Sequence, residues 1–505
     1  MKEKKYALYG IGVVLISLIG ISFAYFATQI VGKEKDISVN TKDLRIIFNN
    51  GDAITGENVV AEDNWSMTKT FSVENKSNST YKYNIVIKDL INTFKTTGYL
   101  QYKITSTDGG YNMTSFEDVP KSPKVQDIVL AYNISIDEGI TQNYTITIQY
   151  PNDANIDQSD DMGATLSGKL YISEGSNPTL TYAILRDNPT RSTRSNNNNG
   201  TNDFSAPFTE TTTGTLFTST ESITGITSAP VNVYYYAGNT TNNWVKFGGF
   251  YWRIIRTNHD GSIRLLYVGT SPGTTKGYIG YSEFNTNYNS PKYVGYKYGE
   301  DTSLNTIRNN TTDSTIKTYI DRWYQNNLTN YTKYLSTSAV YCNDRSEETE
   351  GAYTRRTDFN FASYKRLSTD KTPRYNCSDI RDAFSVENTS AKLSYPIALM
   401  TADEMAFAGG MAYTNMSTSY AWFISNNYGT DASTSSWWSL SPIFWKDRSA
   451  REWIWYSGNA YLSDGSLNLA YAVRPAISLK SCTLYSTGDG TAENPYTIQE
   501  TENGC

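Results

Sequence analysis

Residues 251–268 read YWRIIRTNHDGSIRLLYV, two strand-like runs on either side of a turn. The runs 251–256 and 262–268 are rich in aromatic and β-branched residues, and Asp260-Gly261 supplies the positive φ that a tight hairpin needs. We therefore predict a hairpin here and a mainly β fold around it. His259 is the single histidine of the chain. It falls at the tip of the turn, so we interpret it as a turn residue in preference to a catalytic base.

The composition extends this prediction to the whole chain. The 505 residues include 41 tyrosines, and only 19% are charged, which is typical of β-rich extracellular proteins. The chain has 44 basic and 50 acidic side chains, a net charge of −6. Because nothing here indicates a basic surface, we predict no nucleic-acid partner.

The N-terminal segment favours export. Residues 6–31, YALYGIGVVLISLIGISFAYFATQIV, carry no charge and follow three lysines. An apolar run longer than about 18 residues can span a bilayer as a helix, and lysines on its N-terminal flank favour keeping that end in the cytoplasm. Ala24 and Ala27 lie where a signal peptidase would cut. Residues 1–31 are thus predicted to be a retained membrane anchor or a removed signal, with the rest of the chain outside the cytoplasm.

Two domains and a linker are predicted after this segment. Residues 36–182 contain short runs of alternating apolar and polar residues separated by turn residues, a pattern that predicts a β-sandwich. Residues 186–203, RDNPTRSTRSNNNNGTND, are polar and predict a flexible linker. Residues 204–505 form the predicted second domain, of α+β type.

Two helices are predicted in the second domain. The stretch 313–335 carries an apolar face at helical spacing, with Asp313 or Ser314 available as N-cap. The second helix begins at Thr401, where Thr401 and Glu404 have the spacing of a capping box, and it ends at Gly409-Gly410.

The four cysteines predict disulfides. The chain has no Cys-x-x-Cys and one histidine, which disfavours a catalytic thiol or a zinc site. Of the three possible connectivities, sequential pairing is the simplest: Cys342 with Cys377, and Cys482 with Cys505.

The C-terminal third is crowded with aromatic residues. In residues 452–456, EWIWY, alternation places Trp453 and Trp455 on one side of a strand. Most such rings belong in a core, but exposed ones would offer stacking faces for sugars or anchors for a protein partner. The candidate ligand-binding residues are Trp437, Trp445, Trp453, Trp455 and Tyr461.

The N-terminal third resembles a known family at residues 23–26 (FAYF), 39–44 (VNTKDL) and 71–75 (FSVEN). Over residues 10–180 it resembles the camelysin/TasA-like matrix proteins of Gram-positive bacteria. The resemblance implies a signal ending in an aromatic-alanine motif, a jelly-roll domain, and in some members assembly into surface fibres by strand donation. Self-assembly as a structural matrix protein is therefore the alternative to a binding function.

The second domain carries a different resemblance at residues 401–410 (TADEMAFAGG), 437–442 (WWSLSP) and 473–479 (VRPAISL). Over residues 231–498 it looks like the C-type-lectin-like folds related to the formylglycine-generating enzymes, and like extracellular domains of Gram-positive bacteria. Those enzymes need a copper-binding cysteine pair, and no cysteine here lies in the matching strands before Arg474. The resemblance implies a rigid scaffold with a ligand face, here within 426–472, and implies no catalysis.

The sequence thus predicts a non-catalytic bacterial surface protein, anchored or secreted, whose head binds a glycan or a protein. A glycoside hydrolase is the third hypothesis, because five carboxyl residues cluster in sequence around the aromatics. They are Asp403, Glu404, Asp447, Glu452 and Asp464. No cofactor is expected. Structural calcium at 464–465 or 488–491 is an alternative, although both sequences are first of all good turns.

Overall fold

The structure is a computed structural model. It describes residues 26–505 apart from 32–36, 42–43, 50–53, 60–64, 97, 121, 176, 195–201, 209, 273–275, 356, 416–421, 424–434, 458–459, 503 and 505. The chain divides into two compact units, Met1–Asn177 and Pro178–Cys505. Among the described residues, no helix combines the length and the apolar character needed to cross a bilayer.

The first unit is built of two sheets. Its strands are β1 (Phe26–Val31), β2 (Ile37–Thr41), β3 (Leu44–Asn49), β4 (Ile54–Val59), β5 (Ser66–Asn75), β6 (Tyr81–Asn92), β7 (Gln101–Ser106), β8 (Glu117–Asp118), β9 (Ser122–Ile136), β10 (Thr141–Gln149) and β11 (Thr165–Glu174). One sheet has the order β4-β1-β11-β6-β9 and the other β2-β3-β5-β10-β7-β8. A short 3-10 helix, Ser159–Asp161, precedes β11.

Alternation along the strands builds one core from both sheets. On β10 the side chains of Tyr144, Ile146 and Ile148 are buried, and the residues between them are not. They join buried residues of β6 and β11, in the other sheet, in a single apolar cluster. The prediction of a β-rich first domain is thereby confirmed.

The first strand corrects the prediction of one helix over residues 6–31. Phe26–Val31 is a strand that pairs parallel with β11 and antiparallel with β4. Its register joins Thr28 to Leu166 on one side and to Gly56 on the other. Backbone donors and acceptors of a lone strand need such partners, and a sheet supplies them here. The rest of the predicted segment, residues 6–25, lies outside the described residues.

The second unit mixes sheets with short helices. Its strands are β12 (Thr190–Ser192), β13 (Thr215–Glu221), β14 (Val231–Tyr235), β15 (Trp244–Phe247), β16 (Phe250–Thr257), β17 (Ile263–Gly269), β18 (Tyr281–Ser282), β19 (Lys297–Tyr298), β20 (Thr312–Asp313), β21 (Tyr341–Cys342), β22 (Phe359–Asn360), β23 (Ala383–Phe384), β24 (Ile397–Leu399), β25 (Trp437–Lys446), β26 (Ser449–Tyr456), β27 (Tyr461–Ser466), β28 (Tyr471–Ala472), β29 (Pro475–Leu479), β30 (Tyr485–Thr487) and β31 (Tyr496–Ile498).

Its α-helices are α1 (Leu180–Asp187), α2 (Leu304–Ile307), α3 (Thr315–Asn327), α4 (Ala352–Arg355), α5 (Ala362–Tyr364) and α6 (Ala402–Ala408). Four 3-10 helices span Pro291–Val294, Thr329–Tyr334, Ile380–Asp382 and Thr389–Ala391, and a π-helical turn spans Lys365–Thr369.

Two larger sheets organise the second unit. One follows the order β12-β13-β14-β16-β15-β31-β30, with β17 joining β16 to β29 and β24 added beyond β29. The other has the order β18-β28-β25-β26-β27, with β22 added beside β25. One apolar cluster contains buried residues of both sheets and of α1, α3 and α6.

The predicted hairpin is confirmed as β16 and β17. The strands pair antiparallel with two register shifts, and Gly261 has a φ of 76° in the turn. All seven residues of β17 are buried, and the strand lies between β16 and β29 in its sheet. His259 lies in this turn, as predicted, and its backbone N–H donates to Glu221 Oε2.

The predicted linker over 186–203 is wrong for the part that the structure describes. Residues 178–194 belong to the second unit: Leu180 and Ile184 of α1 are buried, and β12 pairs parallel with β13. Arg194 is buried as well and donates to the carbonyls of Ala406 and Phe407 at the end of α6. The unit therefore begins at Pro178, and the predicted boundaries at 182 and 204 are corrected.

The two predicted helices have different outcomes. Thr401 and Glu404 form the capping box of α6, and Gly409 ends that helix with a φ of 123°, as predicted. The helix predicted over 313–335 ends earlier, at Asn327 of α3, because Leu328 has left the helical conformation, and a 3-10 helix follows. Its N-cap is Ser314.

One predicted disulfide is confirmed. Cys342 and Cys377 are bonded with an S–S distance of 2.07 Å, and both contact a small apolar cluster with Ile223 and Val340. Cys482 is also disulfide-bonded. Its predicted partner, Cys505, lies outside the described residues, so that pairing stays a prediction.

Candidate ligand-binding site

The structure corrects the prediction that the tryptophans of β25 and β26 are exposed ligand anchors. Trp437, Trp453 and Trp455 have no exposed surface, and Trp445 is 8% exposed. Alternation did place Trp453 and Trp455 on one face, but side chains from other segments cover that face. Of the candidates, only Tyr461 is partly accessible.

Tyr461 belongs to a continuous row of surface rings, which we call the aromatic patch. Its members are Phe444, Tyr364, Tyr413, Tyr461 and Tyr456, with successive ring centroids 6.5, 6.5, 6.3 and 5.6 Å apart. Tyr413 is 43% exposed and Tyr456 is 39% exposed, while the other three are half-buried. The rings come from α5, β25, the ends of β26 and β27, and the segment after α6.

Trp453 forms the floor of the aromatic patch. Its ring stacks on Tyr364 at 6.4 Å with an interplanar angle of 20°, and it contacts Tyr413 at 5.6 Å. Its indole Nε1 donates to Ser363 Oγ at 3.1 Å. The buried ring thus fixes the two tyrosines above it, and fixed rings lose little conformational entropy when a ligand binds.

Charged side chains border the aromatic patch. Arg451 Nη1 donates to Asp464 Oδ2 at 2.5 Å, and the Arg451 guanidinium lies 5.9 Å from the Phe444 ring. The ammonium of Lys446 lies over the rings of Phe444 and Tyr364, at 4.8 and 5.2 Å. Both side chains are partly exposed. A ligand on the patch would therefore meet apolar faces together with hydrogen-bonding groups of both signs.

Two backbone positions of the aromatic patch are strained. Tyr413 and Ala460, which precedes Tyr461, are among the eight non-glycine residues with positive φ in the described part of the chain. Asp447 and Arg448 also have positive φ, but they form the two-residue β25–β26 turn, where a tight hairpin needs it. Residues other than Gly, Asn and Asp lose roughly 1–2 kcal/mol in this conformation. Strain of this kind is enriched at functional sites, where it fixes side-chain positions.

A buried ion network supports the same unit at α6. Glu404 Oε1 accepts from Arg256 Nε at 2.8 Å and from Arg264 Nη1 at 2.7 Å. Glu221 Oε1 accepts from Arg256 Nη2 at 2.8 Å. Burial acts to raise the pKa of Glu221, but the attraction of Arg256 and the His259 contact outweigh it and lower that pKa to about 2. Ion pairs between buried side chains hold the network together.

Of the five carboxyl residues of the glycosidase hypothesis, Asp403 and Glu404 line one small pocket, and the other three do not. Asp403 forms a bidentate pair with Arg366, Glu404 belongs to the ion network, and Asp464 pairs with Arg451. Glu452 is fully buried, and Asp447 is exposed in a turn. Of the five, Asp464 alone bonds a residue that borders the aromatic patch.

The predicted calcium loops are held by the chain itself where the structure describes them. The Asp489 carboxylate accepts from the backbone N–H and the hydroxyl of Thr491, at 3.0 and 2.7 Å, which makes a turn. Across the residues that the structure describes, no group of three or more His, Cys, Asp or Glu side chains is placed to hold a metal ion.

A concave surface lies on the first unit. It is a groove of about 420 Å³ over β5, β7 and β10, lined mainly by hydroxyl and amide side chains, with Phe71 and Tyr144 contributing rings. These two rings stack on each other at 4.9 Å. Both are buried, so the groove offers hydroxyl groups and no exposed aromatic face.

Sequence reasoning missed Tyr364 and Tyr413 as site residues. They lie 49 positions apart in the numbering and reach the same surface only because α5 and the segment after α6 both pack on β26. The positive φ of Tyr413 has no signal in the sequence. Its backbone N–H donates to the carbonyl of Leu462 at 3.0 Å, which holds it against β27.

Comparisons with known proteins give little guidance. No family model and no curated protein matches the chain. A solved structure titled "AvmM Catalyzes Macrocyclization in Alchivemycin A Biosynthesis" is similar over 29% of this chain and 98% of that chain, with 9% sequence identity and a TM-score of 0.14. A likeness of this size carries no inference about function.

Proposed function

We propose that this chain is an extracytoplasmic bacterial surface protein whose second unit binds a glycan on the aromatic patch. The observation that carries the proposal is the row of five surface rings over Trp453. Sugar rings present apolar faces that stack on aromatic side chains, and their hydroxyls pair with charged groups such as Arg451 and Asp464. A protein partner anchored on the same rings is the alternative ligand.

The proposal includes the architecture of both units. We propose that the first unit is a jelly-roll-like stalk and that the second is a C-type-lectin-like head without catalytic activity. Support for the head comes from the capping-box helix that ends at Gly409 and from Arg474-Pro475, where the strand β29 begins. The disulfide between Cys342 and Cys377 is typical of oxidising compartments.

Substitution of the aromatic patch tests the binding function. We expect Tyr413→Ala combined with Tyr461→Ala to weaken binding of the purified protein to its glycan by at least about tenfold, because central aromatic anchors carry much of a binding energy. The measurement is a glycan and surface-protein array followed by titration of each hit. Tyr288→Ala is the matched control, since Tyr288 is 41% exposed and is no member of the patch.

The outcome of the array separates the hypotheses. Hits on surface proteins alone would show that the ligand is a protein and not a glycan. A hit that survives the double substitution would contradict the proposed site. Deletion of Phe26–Val31 addresses the matrix alternative, because β1 bonds strands on both sides. Concentration-dependent fibres that disappear with this deletion, in a protein without array hits, would favour assembly over binding.

A further inference from the structure

Three arginines in the second unit, Arg194, Arg253 and Arg474, are buried without a carboxylate partner among the described residues. Two of them, Arg253 and Arg474, repel each other. Arg253 is 3% exposed and Arg474 is 1% exposed. Arg253 donates to Asn243 Oδ1 and to the carbonyl of Thr240, and Arg474 donates to the carbonyls of Tyr267 and Phe423, both at 3.2 Å. None of these acceptors carries a charge.

This pair differs from four other buried arginines of the unit, which bond carboxylates. Those are Arg256, Arg264, Arg345 and Arg366. Burial lowers the pKa of Arg474 to about 9, and burial with repulsion from Arg474 lowers that of Arg253 to about 9. Both side chains stay positive at neutral pH. Two like charges in a low-dielectric interior are costly unless a negative partner is present.

Three buried donors, on Arg474 and on two tryptophans that share Phe423 as a neighbour with it, have no acceptor among the described residues. They are Arg474 Nη2, Trp437 Nε1 and Trp455 Nε1. The Arg474 guanidinium lies 4.8 Å from the Trp437 ring, and Trp437 is the register partner of Trp455. Phe423 contacts both indole rings, at 6.1 and 5.0 Å. Because unpaired buried donors lower stability, such a cluster indicates a missing acceptor.

We propose that Arg474, Trp437 and Trp455 bind a small monovalent anion, a halide or a carboxylate, inside the second unit. The positive charges select a negative ligand, and the three N–H donors supply its hydrogen bonds. The ligand is small because none of the three side chains is more than 1% exposed. This site is separate from the aromatic patch and does not depend on the proposed glycan function.

The test measures thermal unfolding of the full protein at constant ionic strength, with sodium gluconate replaced stepwise by chloride, bromide or acetate. An anion that binds only the folded state raises the melting temperature by about 2 °C for each tenfold increase above its dissociation constant. Trp437→Phe with Trp455→Phe keeps two aromatic rings and removes both N–H donors, and we expect this variant to lose the response.

Two variants make the test specific. Trp453→Phe is the matched control, because Trp453 Nε1 already donates to Ser363 Oγ, and it should keep the anion response. Asp431 is the only acidic residue between 416 and 436 in the sequence. A response that is absent from the wild type and appears in Asp431→Asn would assign the counter-charge to the chain itself and overturn the proposal.

Crystals soaked in bromide give a direct readout. An anomalous peak within hydrogen-bond distance of Arg474 Nη2 would support the site. The proposal would be overturned if none of the three anions changed the melting temperature, or if the variant with both phenylalanines responded equally. Water would then be the hydrogen-bond partner of the three donors.

Discussion

Replacing Glu404 with alanine will lower the free energy of unfolding of the second unit by about 3–5 kcal/mol, because it leaves buried charges without a partner. Glu404 is 1% exposed, and its Oε1 accepts from both Arg256 and Arg264. Without it, Arg264 has no carboxylate partner among the described residues, and Arg256 keeps Glu221 alone. Urea unfolding followed by tryptophan fluorescence measures the loss.

Thr401→Ala is the matched control for this prediction. Thr401 Oγ1 accepts from the Glu404 N–H at 3.1 Å, and loss of such a cap costs about 1 kcal/mol. Glu404→Gln removes the charge and replaces one of the two acceptor oxygens by an NH2 donor, so it keeps an acceptor either for the Thr401 N–H or for the arginines. We expect its stability to lie between those of the other two variants. A Glu404→Ala loss no greater than that of Thr401→Ala would show that the ion network contributes nothing.

Glu452 will make the second unit less stable as pH rises. Both its carboxyl oxygens are buried without a hydrogen-bond partner in the described part of the chain. Burial raises the pKa of Glu452 well above the ordinary value of 4.5, and Arg345 opposes this only in part. Above pH 4.5 the unfolded chain gives up this proton while the folded one retains it. The free energy of unfolding then falls by about 1.4 kcal/mol per pH unit until the folded-state pKa is reached.

Glu452→Gln isolates this effect, because an amide stays neutral at every pH. We expect the variant to match the wild type near pH 4 and to exceed it in stability by a margin that grows toward pH 7. Glu493→Gln, at an exposed carboxyl, should leave the pH profile unchanged. A constant difference between Glu452→Gln and the wild type across this range would mean that Glu452 is ionised in the folded protein.

Features that depend on neighbouring residues were predictable from the sequence. The hairpin around Gly261 and the capping box of Thr401 and Glu404 follow from residue types within a few positions. The Cys342–Cys377 pairing also followed from spacing. In the hairpin and the capping box the physical cause lies inside the segment itself, so the segment carries the information.

Features that depend on distant partners were not predictable. The alternation of side chains along a strand predicted which residues of β26 share a face. It did not predict that Tyr364, Tyr413 and Phe423 cover that face. The polar stretch after residue 186 resembled a linker because its composition does not indicate that Arg194 is buried. Arg194 donates to the carbonyl of Ala406 at the end of α6. Both errors arise because burial is a property of the folded neighbourhood and not of the residue type.

If the chain is exported, as we propose, its first strand links export to folding. Signal cleavage after Ala24 would release a chain that contains all of β1, whereas cleavage after Ala27 would remove Phe26 and Ala27 from a strand of six residues. If the segment is instead retained, residues 6–25 are still long enough to cross a bilayer. The first unit would then begin at the membrane surface with no spacer, and its sheet could close only after translocation had brought Phe26–Val31 out of the membrane.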